Sequence, residues 1–156
     1  MKQQLDTAAP LIARALLSLI FLVAGIGKIL DWDGSAAYMA SKGLILIPLL
    51  LGIAIAFELA GGLCLLAGLK TRQVALALAL YLVPVTLVFH AFWTYEGMER
   101  QIQMANFLKN LAIAGGLVQV FAYGAGRVSI DDRLKPRLLR KKVTAVPLGP
   151  KEPAEA

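Results

Sequence analysis

Four blocks of this sequence are each long and apolar enough to cross a lipid bilayer, and nothing else constrains the fold as strongly. A hydrocarbon core about 30 Å thick takes roughly 20 apolar residues at about 1.5 Å each. The chain supplies such runs at 11–30, 44–69, 74–93 and, shortest of all, 107–123. Between them lie the polar stretch Asp31 to Gly43, the tight turn Lys70 to Gln73 and a second polar stretch, Thr94 to Asn106. Lipid offers backbone N–H and C=O groups no partner, so only helices or closed barrels span it. Barrel strands would alternate over about ten residues, whereas these runs are continuous and rich in Leu and Ala. The expected fold is therefore all-α, an integral membrane antiparallel four-helix bundle. The first block is too long for a signal-peptide core, and Lys28, Asp31 and Asp33 interrupt the approach to Ser35-Ala36-Ala37. It is read as a span.

The chain is 58% apolar yet carries a net charge of +6, and the placement of that charge sets the expected orientation. The turn holding Lys70 and Arg72 is basic, and so is the segment from Arg127 through Lys142. The other two loops are roughly balanced. Short basic loops stay in the cytoplasm, which puts both termini and the Lys70 turn inside and the balanced loops outside. On a membrane protein the basic tail is explained by topology and attraction to anionic lipid, so no nucleic-acid partner is expected. The layout is then a cytoplasmic N-terminus (1–10), a four-span domain (11–126), a basic amphipathic segment on the cytoplasmic surface (127–142) and a Pro- and Ala-rich disordered tail (143–156). Pro10 and Pro48 suit the opening turns of the first two spans. Pro84 falls in the middle of the third, where it frees a carbonyl and is expected to kink the helix. Aromatics (Trp32, Tyr38, Phe92, Trp93 and Tyr95) gather at the outer boundary, as an interfacial belt does.

Ionisable groups inside spans are expensive and mark function by default. Arg14 enters near the cytoplasmic end and is expected to snorkel to it. Lys28, His90, Lys109 and Asn110 fall at a similar level in the outer half of three different spans. Glu58 lies near the middle of the second span, where an unpaired charge costs at least about 2.5–3.5 kcal/mol. It must be protonated or paired, and Lys28 and Lys109 are the lysines within reach. The expectation is that Lys28 turns inward and lines a ligand pocket with Glu58, His90, Lys109 and Asn110. Its alternatives are snorkelling to the interface or pairing with Asp31. Small residues should let helices approach closely: Gly25, Gly27, Gly61, Gly62, Gly115, Gly116, and Cys64 in a row with Ala60 and Gly68. A lone cysteine allows no intrachain disulfide. A lone histidine excludes bis-His haem and a histidine-based zinc site, so no metal is expected. AGIGK lacks the spacing of a phosphate loop.

AGIGK (24–28), Tyr38 with Gly43, FELAGGLCLLAGLKTR (57–72), FHAFW (89–93), FLKNLAIAGGL (107–117) and GAGRVSIDD (124–132) occur in an order and spacing that resemble the DoxX family. The likeness runs from about Ala13 to Arg133. It implies a four-span protein of the bacterial inner membrane and points to redox associations. Relatives include a subunit of a thiosulfate:quinone oxidoreductase and a membrane partner of secreted oxidative-stress enzymes. The family pattern falls on Gly27, Lys28, Glu58, Gly61, Gly62, His90, Phe107, Lys109, Asn110, Gly115 and Gly116. No intrinsic cofactor and no self-contained catalytic motif is expected. The leading expectation is a membrane component of a redox or detoxification system that binds a quinone or similar lipophile, with a redox-protein partner. A homo-oligomer is left open. The rival is a scaffold or cargo-binding protein whose polar cluster is structural, and a small transporter is the third reading.

Overall fold

The computed structural model describes residues 2–134. Helices α1 (Lys2–Leu30), α2 (Trp32–Ser41), α3 (Ile47–Ala67), α4 (Thr71–Phe89), α5 (Gly97–Tyr123) and α6 (Ile130–Leu134) follow one another, with a single 3-10 turn at Phe92–Thr94. No strand occurs among these residues. Four of the helices are long and apolar enough to span a membrane, and they alternate in direction, as the short connections require. Of the basic segment 127–142, the part beyond Leu134 lies outside the described residues, and so does the tail 143–156.

Three expected boundaries move. Pro10 sits inside α1 rather than at its start, because α1 begins at Lys2. The first polar stretch is a helix: the Asp31 carboxylate accepts the amide of Gly34 at 3.1 Å and caps α2, satisfying one of the orphan donors of a helix start. The second polar stretch is mostly the opening of α5, which starts at Gly97 and not at Phe107. Polarity there marks the helix leaving the apolar layer and does not mark a loop. Pro48 does fall in the first turn of α3, and α4 runs through Pro84 as one continuous helix.

Helix α1 packs chiefly on α3, and α4 on α5. Leu65, Leu78 and Leu117 are fully buried where the helices meet, beside Phe21, Ala75 and Val120. Lipid tails are as apolar as leucine, so close packing rather than water exclusion holds such a bundle. Four of the expected glycines serve it. A methyl on Gly25 would lie 2.8 Å from Leu59, on Gly61 2.7 Å from Leu78, on Gly62 2.9 Å from Leu22 and on Gly116 3.1 Å from Leu17. Gly27 and Gly115 do not, since a methyl on either would meet nothing within 4 Å. Ala60 is exposed and Cys64 half-buried. The packed row of α3 is therefore Glu58, Gly62 and Leu65; of the expected row Ala60, Cys64 and Gly68, only Gly68, just past the helix end, is buried.

At the end where α1 begins, the chain after α5 folds back and clasps the bundle. The Asp131 carboxylate accepts the amides of Lys70 (2.7 Å) and Thr71 (2.8 Å), capping α4 from a distant part of the chain, while its own amide donates to the Gly68 carbonyl at 2.8 Å. Lys70 is held at φ +46°, a left-handed conformation costing roughly 1–2 kcal/mol for a residue with a Cβ, and these bonds offset that strain. Arg14 does not snorkel. It is 1% exposed beneath the clasp, its Nη2 donating to the Val128 carbonyl at 2.5 Å, with Asp131 close enough to act as countercharge. Gly68 (φ +70°) completes the fit, because a methyl there would lie 1.8 Å from Arg14 Nη1.

Candidate functional site

At the opposite end, a cavity of about 340 Å³ opens among α1, α2, α3 and α4. Its walls are mostly apolar, including Leu51, Ala54, Pro84, Val85 and Val88, and Lys28, Glu58 and Tyr81 supply polar groups at one place. Lys28 reaches across from α1 and donates to both oxygens of Glu58 on α3, at 2.9 and 2.8 Å. Tyr81 on α4 donates its hydroxyl to Glu58 Oε1 at 2.8 Å. One carboxylate, 5% exposed, thus takes three hydrogen bonds from two helices, and its ammonium partner keeps 29% exposure. A carboxylate at that depth is tolerable when paired and hydrogen-bonded, and Lys28 supplies both. The result is a neutral polar patch in an apolar chamber, with an ammonium and a phenol able to turn a donor toward a guest.

Helix α2 closes one side of the chamber through Ser35, Tyr38 and Met39. Tyr38 donates to the Phe89 carbonyl at 3.1 Å, which pins α2 to the end of α4. Just past α2, Lys42 donates to the Tyr95 hydroxyl and lies 5.0 Å from the ring centroids of both Tyr38 and Tyr95. The Tyr95 hydroxyl, through that bond, holds the Lys42 ammonium above the usual lysine range, against the smaller opposing effect of partial burial.

The expected site residues part company here. Lys28, Glu58 and His90 line one cavity. His90 ends α4, and its Nδ1 lies 2.8 Å from Gln103 Oε1 on α5. Asn110 is buried beside them but spans the α4–α5 interface, donating to Thr86 Oγ1 at 3.1 Å. Lys109 faces the other way, exposed, and donates to Asn106 Oδ1 one turn back at 2.9 Å. A rotation of about 100° per residue separates the directions of adjacent helical side chains, so Lys109 points away where Asn110 turns toward α4. Tyr81 and Gln103 escaped the sequence reading. A tyrosine in mid-span is a signal in itself, because its hydroxyl needs a partner in lipid. Among the described residues no group of three or more His, Cys, Asp or Glu is placed to hold a metal ion.

Comparison with known proteins follows the same lines. The DoxX family model matches residues 9–91. The inner membrane protein YphA of Escherichia coli strain K12 is 33% identical over 79% of this chain and 88% of its own length. The inner membrane protein YqjF of the same strain is 36% identical over 90% of this chain and 98% of its own. The ER-derived vesicles protein ERV29 of Saccharomyces cerevisiae is 31% identical over 66% of this chain, but over only 36% of its own length. No solved structure matches. Four membrane-length helices and inner-membrane relatives aligned almost end to end lead to one conclusion: this is a multi-pass bacterial inner-membrane protein, and it belongs to the DoxX family.

Proposed function

We propose that the protein binds a quinone or similar lipophilic small molecule in the α1–α4 cavity, as a membrane component of a redox or detoxification system. The observation that carries this is the cavity itself: about 340 Å³, apolar-walled, with Lys28, Glu58 and Tyr81 gathered at one place. A few fixed polar groups in a mostly apolar chamber of this size are what orient a small ligand. Lys28 and Tyr81 would donate to a ligand carbonyl. Glu58 would hold both donors in place, a role its three hydrogen bonds favour over that of free proton acceptor. Lys109 and Asn110, expected as ligand contacts, take no part in this reading. The basic Lys70 turn favours termini in the cytoplasm, which puts the cavity in the outer half of the membrane. Any electrons that move would come through a partner protein.

A structural reading has its own support. The same three residues join α1, α3 and α4, so the cluster could serve as a lock in a scaffold. Purification in native lipid, with mass spectrometry of the extracted small molecules and Glu58→Gln alongside, separates the two. A lipophile enriched with the wild type and absent from a folded variant supports binding. An empty wild-type protein and an unstable variant support the lock.

A further inference from the structure

The chain's one histidine lines the cavity, and the hydrogen bonds behind it decide which ring nitrogen carries a proton. A carboxylate only accepts, so the Gln103 group 2.7 Å from Glu99 Oε1 is the amide NH2. That turns the Gln103 carbonyl toward His90 Nδ1, 2.8 Å away. A carbonyl also only accepts, so Nδ1 must hold a hydrogen. Flipping the amide would set its carbonyl against the Glu99 carboxylate. Gln103 is 7% exposed, too buried for water to replace a lost bond cheaply. A neutral imidazole has one N–H, and with that hydrogen on Nδ1 the lone pair is on Nε2.

Elsewhere in the cavity the Glu58 carboxylate, its one charged acceptor, is committed to the bundle's own donors. Both Glu58 oxygens receive hydrogen bonds from Lys28, and one receives Tyr81 as well. Lys28 and Tyr81 can donate to a guest, Ser35 and Tyr38 add hydroxyls to the wall, and His90 Nε2 is an imidazole acceptor set apart from the Glu58 cluster.

We propose that Gln103 is a positioning residue that fixes His90 as the Nδ1–H tautomer, so that Nε2 accepts a hydrogen bond from a hydroxyl on the cavity's ligand. This rests on the reading of the cavity as a site for a quinone or similar lipophile and narrows the ligand's class to its hydroxyl-bearing members, a quinol or a hydroxyl-substituted quinone, rather than a wholly aprotic one. Gln103 touches no ligand, and Glu99 acts only through Gln103.

Having one histidine makes the test direct. Nitrogen-15 histidine labelling of the full chain in phosphatidylethanolamine–phosphatidylglycerol nanodiscs gives a single imidazole to observe. The ligand-free neutral ring should be protonated at Nδ1 and bare at Nε2. Gln103→Leu should abolish that preference. Glu99→Leu alters an exposed residue and frees the Gln103 amide to flip, so it should give a mixture of tautomers even if Gln103→Leu fails to fold. The ligand probes are 1-naphthol and its methyl ether, 1-methoxynaphthalene. The naphthol should bind about five-fold more tightly, the worth of one hydrogen bond near 1 kcal/mol. It should move the Nε2 resonance, and the ether should not. In Glu99→Leu the five-fold advantage should shrink. A wild-type ring protonated at Nε2, or naphthol bound with Nε2 unmoved, would overturn the inference while leaving the cavity a lipophile site. Failure of both probes to bind would overturn the lipophile reading and the ligand assignment with it.

Discussion

Replacing Lys28 with methionine should be the most informative single perturbation of the cavity. The change keeps the length of the side chain and most of its apolar contact but removes the ammonium. Glu58, 5% exposed, then keeps the Tyr81 bond and loses both bonds from Lys28. At about 1.5–3 kcal/mol for each charge-assisted hydrogen bond, the expected destabilisation is therefore about 3–6 kcal/mol. The assay is SDS-driven unfolding from mild mixed micelles followed by far-UV circular dichroism, run as a double-mutant cycle with Glu58→Gln. Lys28→Met with Glu58→Gln removes both charges, so the pair should be more stable than Lys28→Met alone. A coupling below about 1 kcal/mol, the range of exposed ion pairs, would refute the reasoning. It would mean that water entering past the 29% exposed Lys28 already screens the pair.

The remaining expectations separate contacts that look alike in sequence. Gly68→Ala should abolish accumulation in the membrane, because the new methyl would strike Arg14 at 1.8 Å from a backbone at φ +70°. Gly27→Ala meets nothing within 4 Å and should be neutral or stabilising by up to about 1 kcal/mol, the helix-propensity difference. Immunoblots of membrane fractions check both. Asp131→Asn weakens the cap on the Lys70 and Thr71 amides and should cost about 1–2 kcal/mol in the same SDS titration. Tyr95→Phe should speed hydrogen exchange in α2. Because the Lys42 value is raised, that contact is fully present below the ordinary lysine range and is lost only as pH rises through the raised value. Its contribution to α2 should therefore be unchanged across neutral pH.

The spans were legible because block length and apolar continuity are local properties, and the bilayer imposes both. Glu58 was legible for a related reason: a carboxylate at that depth must find a cation, and two lysines lay at a workable level. Which lysine it finds is a question of rotation about a helix axis. Lys28 and Lys109 have similar depth and composition around them. They differ because α1 turns Lys28 toward α3, whereas α5 turns Asn110, not Lys109, toward α4. Helices α3 and α5 carry no apolar stripe from which to read that phase. Arg14 was misread as a snorkelling residue for another reason. What covers it, the Val128 carbonyl 114 residues away, is a contact that no local pattern encodes. Tyr81 was within reach of reasoning, since a mid-span hydroxyl needs a partner as surely as a mid-span carboxylate does.

The polar contacts share one logic. Apolar side chains gain little by leaving lipid for a helix interface, so the polar contacts between helices carry an unusual share of the register. Glu58 joins α3 to α1 and α4, Gln103 joins α5 to the end of α4, and Asp131 joins the segment after α5 to the α3–α4 turn. A cavity built at such a junction inherits its polar groups from the bundle's own fastening. A ligand carbonyl that draws Tyr81 or Lys28 toward itself must compete with Glu58 for them. Substitutions at Glu58 will therefore lower stability whether or not the cavity binds anything, and loss of protein cannot distinguish the two. His90 Nε2 is where the two roles separate, because the bond that fastens the ring to α5 uses Nδ1. A response confined to Nε2 would report the ligand alone.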